Sequence, residues 1–372
     1  MISLKKIITS LLQKRLLTTL LALLFGIGIL FYQAIFFVEK QNGQYHEKIY
    51  VINKQQWCIN QKKYFPTDTD FYPITVTSQK HNRNKQRTIT RDGYVYYNPN
   101  AKATILLCHG YMISKEDMNI LRCLLNQYNI VSFDFRAHGE NISSQYCTLG
   151  CNEKHDVIAF SKYIKNDSKL NKLPLFVYGF SMGAVASILA QSEQQNLFDG
   201  AIWDCPFQST NYLTNVALSN IKWKINGYEI DIPIKKIIQK YIYNRSTQLF
   251  IQYIFKFFSA MDSTSINTCI KNISPIQALS TIKIPFLLIG CFNDDKAPAE
   301  SILTMYKSNQ NTQYSKCWIS SGRRHFDSFF LHPEQYIYEI NKFIQTIISK
   351  KHVDKEKEIQ IDDNCFLVNK KS

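Results

Sequence analysis

Apolar positions along the chain change their period several times, and each change marks a boundary. The first pattern is an uninterrupted run from Leu16 to Val38 in which no residue carries a charge. At 1.5 Å of rise per residue, a helix of that length crosses a hydrocarbon core of about 30 Å, so the run predicts one transmembrane helix. A cleaved signal peptide would have a shorter apolar stretch followed by a small-residue cleavage site, and this run has neither. Residues 41–70 show no clear period and are expected to form a linker. Tyr72–Thr77, Arg87–Thr90 and Gly93–Tyr97 are short β-rich runs, predicted to pair antiparallel with a turn at Arg91-Asp92.

Beyond Lys102 the alternation becomes regular. Strands are predicted over Ala103–Cys108, Ile130–Phe135, Leu175–Phe180, Ala201–Asp204, Pro285–Ile289 and Cys317–Ile319. Helical periods lie between or after them near Lys115–Gln127, Glu153–Ile164, Met182–Gln194 and Pro333–Ile348. Apolar strands separated by helices predict an α/β domain over 71–349, with a mostly parallel sheet covered on both faces. The stretch 208–283 breaks the rhythm and is too long for a structureless loop. It is expected to be a helical cap over the carboxyl edge of the sheet, with helices near Pro233–Tyr243 and Thr247–Ser259. Its aromatic residues fit either packing on the main domain or an apolar substrate tunnel. The tail, 350–372, is charged and is expected to fray.

Composition narrows the classes further. Of 372 residues, 45% are hydrophobic, 13% aromatic and 20% charged, with 13 Gly and 10 Pro, which excludes a disordered or low-complexity chain. Lys and Arg number 44 against 29 Asp and Glu, a net charge of +15. No Lys/Arg stripe interleaved with aromatics and no helix-turn-helix or zinc signature accompanies that excess, so a nucleic-acid partner is not expected. Lys5, Lys6, Lys14 and Arg15 precede the apolar run without an acidic neighbour, whereas Glu39, Lys40, Glu47 and Lys48 after it cancel. The positive-inside rule then leaves residues 1–15 in the cytoplasm and puts the catalytic domain on the lumenal or extracytoplasmic side. Asn141, Asn166, Asn244 and Asn272 each begin an Asn-x-Ser sequon, which suits a lumenal chain but arises by chance in an Asn-rich one. Ten cysteines could pair in an oxidising compartment, Cys147 and Cys151 being close in sequence, while Cys108 and Cys291 lie in apolar runs as core thiols would. No CxxC pair and no His/Cys cluster at ligand spacing is present, so a zinc site is not expected.

The candidate chemistry lies at strand ends. Gly179-Phe180-Ser181-Met182-Gly183 follows the run Leu-Phe-Val-Tyr and opens the helical stretch beginning at Ala184. A serine at such a strand-to-helix turn has its hydroxyl held above the sheet, and the helix N-terminus favours negative charge developing beside it. Ser181 is the candidate nucleophile. The base expected for it is His325, after the last strand, in the order serine, acid, histidine. Asp294, four residues before Pro298, has the best register for the acid; Asp295 and Asp204 are its rivals. The peptide N–H groups of Tyr111 and Met182 are the candidate oxyanion donors. His109 and His138 are expected to be structural hydrogen-bonders.

These residues together resemble the α/β-hydrolase superfamily over about residues 70–348, in the branch that contains monoacylglycerol lipases and serine aminopeptidase-like hydrolases, which implies a mostly parallel, eight-stranded sheet. The resemblance rests on the His109-Gly110 loop, the Asp134–Gly139 turn, the Ser181 elbow, the Asp294 loop and the His325 loop. Ala137 stands where the family usually has Gly, and Cys291-Phe292 replaces the usual Gly-Asp before the acid. The resemblance implies a serine hydrolase of esters, thioesters or amides that works without metal or cofactor. A membrane anchor and an aromatic cap favour an acylated, lipid-like substrate. A peptide hydrolase and a non-catalytic binding module are the alternatives.

Overall fold

The computed structural model describes residues 70–80, 87–139, 145–219, 222–225, 228–231, 235–249, 268–309, 312, 314–322, 324–349 and 358–361. The strands are β1 (Asp70–Lys80), β2 (Arg87–Tyr97), β3 (Thr104–Cys108), β4 (Asn129–Phe133), β5 (Leu175–Phe180), β6 (Gly200–Asp204), β7 (Lys222–Ile225), β8 (Tyr228–Asp231), β9 (Phe286–Cys291), β10 (Lys316–Ser320) and β11 (Glu358–Ile361). Nine of them form one sheet in the order β1-β2-β4-β3-β5-β6-β9-β10-β11. Strand β2 runs antiparallel to both neighbours, and the other adjacent pairs are parallel, so the sheet is mixed.

The helices are α1 (Asn119–Leu124), α2 (Lys154–Asn166), α3 (Met182–Glu193), α4 (Thr210–Ser219), α5 (Lys235–Tyr241), α6 (Pro275–Ser280), α7 (Ala299–Ser308), α8 (Asp327–Leu331) and α9 (Pro333–Ser349). Period-two alternation on fully buried strands sorts the core into two layers. Leu106, Cys108, Val177 and Ala201 pack on one face with Val157, Phe160, Ala184, Ile188 and Ile302. Ile105, Leu107, Phe176, Tyr178 and Ile202 pack on the other with Leu121, Tyr336, Ile340 and Phe343. Each fully buried Leu, Ile or Phe contributes about 1.5–3 kcal/mol by leaving water.

Four local expectations are corrected. Strand β2 is continuous through Arg91-Asp92, which face Val76 and Thr75 across the hairpin instead of turning. The polar pair reads as a turn in sequence, yet Arg91 is buried amid Asp156, Asp92 and Asp134, and Asp92 accepts the Thr75 hydroxyl at 3.1 Å. The helix expected over Lys115–Gln127 shortens to α1, preceded by turns. The cap is not wholly helical, since β7 and β8 form an antiparallel ribbon in it. Part of the charged tail is ordered as β11, whose Glu-Ile-Gln-Ile adds a parallel edge to β10 and raises the strand count from the expected eight to nine. No helix among the described residues is long and apolar enough to cross a membrane; the run Leu16–Val38 lies outside them.

A buried ion pair fixes the turn after β4. Arg136 places Nη2 2.7 Å from Oδ1 of Asp156 and Nε 3.0 Å from its Oδ2, while the Arg136 peptide N–H also reaches Oδ2 at 3.0 Å. The Ser78 hydroxyl donates to Oδ1 at 2.5 Å, so one carboxylate joins β1, α2 and the turn. Both charges are buried, and removing one strands the other. Asp156→Asn is therefore expected to lower the unfolding free energy by about 3–5 kcal/mol in urea denaturation. Ala137 in the same turn has φ 61°, a conformation that costs an alanine about 1–2 kcal/mol. Ala137→Gly is expected to stabilise by roughly 1 kcal/mol, the rest being lost to the glycine's unfolded-state entropy.

Candidate active site

The site is assembled where β3, β5, β6 and β9 end on one edge of the sheet. Ser181 links β5 to α3 with φ 51° and ψ −113°, outside the ordinary regions for a residue with a Cβ. Such a conformation costs on the order of 1–3 kcal/mol and persists only where its surroundings impose it. Two hydrogen bonds do so: the Ser181 N–H donates to the Asp204 carbonyl at 2.8 Å, and its carbonyl accepts the Val185 N–H at 3.1 Å. The flanking glycines allow the close approach. A Cβ on Gly183 would lie 2.2 Å from the Cys108 carbonyl oxygen, and one on Gly179 would lie 2.6 Å from the backbone of Ala184. Helix α3 can thus begin directly above the end of β3.

His325 and Asp294 are brought together from loops after β10 and β9. Nδ1 of His325 donates to Oδ2 of Asp294 at 2.7 Å. The other carboxylate oxygen, Oδ1, accepts the N–H groups of Lys296 at 2.8 Å and Ala297 at 3.0 Å. Burial alone would raise the Asp294 pKa, but the His325 charge and hydrogen bond, helped by those two amides, hold it below its ordinary value. Backbone bonds join the two loops: Phe292 N–H to Ser320 O at 2.9 Å and Asn293 N–H to Gly322 O at 3.0 Å. Ser328 fastens the far side, its N–H reaching Cys291 Sγ at 3.2 Å and its hydroxyl donating to Gly290 O at 3.2 Å.

The Phe180 ring, next in the chain to Ser181, stands 5.2 Å from the His325 ring. Nε2 of His325, the nitrogen not used by Asp294, is buried and has no hydrogen-bond partner among the described residues. An imidazole with Nδ1–H held by a carboxylate and Nε2 open can accept a proton at Nε2.

Of the rival acids, Asp295 is exposed beside the site. Asp204 is fully buried at the end of β6, where the hydroxyls of Tyr336 and Tyr178 donate to its Oδ2 at 2.6 and 3.1 Å. Burial pushes its pKa up to about 6 against those hydrogen bonds. The oxyanion candidates Tyr111 and Met182 follow β3 and begin α3. As a first-turn residue of α3, Met182 has a peptide N–H without an intrahelical acceptor, and its sulfur contacts Cys147 Sγ at 3.3 Å. The Tyr111 hydroxyl is tied to Thr268 at 2.6 Å.

His109 and His138 support the loops. His109 accepts the Phe135 N–H at 3.0 Å and donates to Gly110 O at 2.7 Å; His138 accepts the Met112 N–H at 3.2 Å and donates to Arg136 O at 3.0 Å. Burial lowers the pKa of both rings and keeps them neutral. The eight described cysteines, Cys147 and Cys151 among them, are free thiols. Cys205, which the sequence reading did not single out, lies against this site with Cys291 beside it. Only its position directly after a strand-end aspartate could have marked it.

The fold is that of the α/β-hydrolases. Residues 99–248, which carry the His109 loop, the Ser181 elbow and Asp204, match the family described as serine aminopeptidase, S33. An uncharacterised Bacillus subtilis protein, YqkD, is 22% identical over 252 residues, 66% of this chain and 72% of that one. The Pyrococcus furiosus esterase Pf2001 superposes with a TM-score of 0.54 at 20% identity, covering 77% of this chain and 95% of the esterase. The peroxisomal α/β-hydrolase Lpx1 of Saccharomyces cerevisiae gives 0.53 at 14% identity over 82% and 96% of the two chains. An acylaminoacyl peptidase of Pyrococcus horikoshii gives 0.51 at 16% identity over 79% of this chain and 44% of the peptidase.

The raised Asp204 pKa makes a signed prediction. An unfolded aspartate titrates near about 3.9, so the native protein keeps the proton that the unfolded chain gives up. The stability this adds is present below about pH 4 and is lost as pH rises through about 6. Thermal melts from acid to neutral pH should therefore show wild type losing roughly 3 kcal/mol relative to Asp204→Asn. Equal pH profiles for the two proteins contradict an uncharged Asp204.

Proposed function

We propose that the protein is a serine hydrolase, anchored by Leu16–Val38, that cleaves carboxylic ester or thioester bonds of acylated, lipid-like substrates through a covalent acyl-enzyme. The observation that carries this reading is the hydrogen-bonded Asp294–His325 pair, open at Nε2, beside a strained serine elbow. In the proposed cycle Ser181 attacks the substrate carbonyl as its proton passes to His325 Nε2. Asp294 holds Nδ1–H and, being ionised, stabilises the imidazolium that forms. The carbonyl oxygen, now negative, is met by the peptide N–H groups of Met182 and Tyr111, aided by the α3 N-terminus. The imidazolium then protonates the leaving group, and a water activated by the same nitrogen releases the acid.

The apolar side of the reading draws on Met112, which follows Tyr111 and is 59% exposed, and on Tyr146, 48% exposed and next to the cysteine that touches Met182. Phe180 and Phe326, with ring centres 4.5 Å apart, add an apolar wall beside His325. The serine aminopeptidase match favours a second reading, hydrolysis of peptide amides. The anchor would hold the catalytic domain on the lumenal or extracytoplasmic side of a membrane.

Labelling with a fluorophosphonate probe tests the nucleophile: wild type is expected to label and Ser181→Ala to remain unlabelled, with kcat falling about 10⁴-fold or more. Equal labelling of the two rejects Ser181. A series of p-nitrophenyl esters is expected to show rising kcat/KM with acyl length, whereas turnover confined to aminoacyl amides selects the peptidase reading. After alkaline carbonate extraction the full chain is expected in the membrane pellet, and its appearance in the supernatant rejects the anchor.

A further inference from the structure

The side chains around the base include a thiol that the hydrolytic cycle does not use. Cys205 Sγ, a carboxylate oxygen of Asp294 and a ring nitrogen of His325 all lie within 4.8 Å of one another. Cys205 follows β6 directly and is fully buried, with φ 49°. Its N–H donates to the Ile289 carbonyl at 2.9 Å, which seats it against the end of β9. The thiol of Cys291 is hydrogen-bonded to it and is itself held by Ser328. One thiol, one imidazole and one carboxylate, with a second thiol behind, form a donor set of mixed sulfur, nitrogen and oxygen. That set suits a borderline or soft dication such as zinc or cadmium and is poorly suited to magnesium or calcium.

We infer that Cys205, Asp294 and His325 form an inhibitory site for a thiophilic divalent cation, zinc or cadmium. Asp294 lies on the Nδ1 side of the ring, so an ion shared by the two is bound at Nδ1. Tetrahedral ligand bonds of about 2.0–2.3 Å place ligand atoms roughly 3.3–3.8 Å apart, so the pair now at 2.7 Å opens by about half an ångström. The protons balance in two moves. The Cys205 thiol gives its proton to solvent as the sulfur–metal bond forms, and the ring proton leaves Nδ1 for Nε2 as the nitrogen–metal bond forms. Nε2 then carries a hydrogen and cannot accept one from Ser181. The metal also takes the Asp294 carboxylate, so both positions that matter to the base are occupied at once. This inhibitory consequence rests on the hydrolase reading above; the binding itself does not.

The experiment separates the two. Cadmium is titrated into the full chain as wild type, Ser181→Ala, Cys205→Ala and Cys205→Ser, and the ultraviolet sulfur-to-cadmium charge-transfer band is recorded. The band is expected in wild type and in Ser181→Ala and is expected to be lost from both Cys205 variants, whichever of them folds. In parallel, p-nitrophenyl ester hydrolysis by wild type is expected to fall over the same cadmium or zinc range and to return on chelation. For a folded Cys205 variant, measured against its own metal-free rate, the inhibition midpoint is expected to rise by at least about tenfold. An unchanged band in the Cys205 variants overturns the site, as does full wild-type activity at cadmium saturating the band. A chain that binds cadmium through Cys205 but hydrolyses neither ester nor aminoacyl amide retains the site and refutes the hydrolase reading instead.

Discussion

The first turn of α3 meets the end of β3 at a separation that admits no side chain at residue 183, and the site depends on that approach. With Gly183 against the Cys108 carbonyl, the helix starts immediately after β5 and the elbow residue is forced out of the ordinary backbone regions. The strain at Ser181 is therefore imposed by packing on both sides. Below it lie fully buried strands, and beside it the Asp204 carbonyl receives its N–H. Loop flexibility could not hold a hydroxyl in this position, because any relaxation would have to move α3 off the sheet.

Two buried aspartates near the elbow meet opposite electrostatic fates, and the difference comes from what each is given to hold. Asp294 receives two peptide N–H groups and an imidazole, so its anion is favoured in spite of burial. Asp204 receives two tyrosine hydroxyls on one oxygen and the neighbouring Cys205 thiol, all neutral donors. Such donors do not offset removing a carboxylate from water. A group that must stay charged to support an imidazolium needs the first environment. The second suits a polar anchor that ties Tyr178, in the strand that carries the elbow, to Tyr336 of α9.

The central strands and the elbow were legible in the sequence because their signals are local. Leu175–Phe180 is an unbroken apolar run ending in Gly-x-Ser-x-Gly, and its expected and observed bounds coincide. Elements whose stability comes from distant partners were misread. Arg91 and Asp92 look like a turn until Asp156, 65 positions away in the chain, is seen beside Arg91. Strand β11 has only four residues in a charged tail and is defined by its pairing with β10. The β7–β8 ribbon lies in a segment whose helical periods on either side dominate the pattern. The Asp294–His325 pair could be anticipated from chain order, but the choice of Asp294 over Asp295 depends on an Asx-type turn that sequence shows only as Asp-Asp-Lys-Ala-Pro.

Cys205 shows the limit of spacing rules in a different way. Metal motifs are recognised by ligands a few residues apart, yet here the thiol, carboxylate and imidazole come from the ends of β6, β9 and β10, separated by 89 and 31 positions. A parallel sheet with crossover helices puts every strand's carboxyl end on one edge, so residues remote in sequence meet there by construction. The topology that brings Ser181, Asp294 and His325 to the ends of separate strands brings any other reactive side chain at those ends there as well. A thiol after β6 thus shares its surroundings with His325, because the pairing of β6 with β9 fixes Cys205 against the strand that leads into the Asp294 loop.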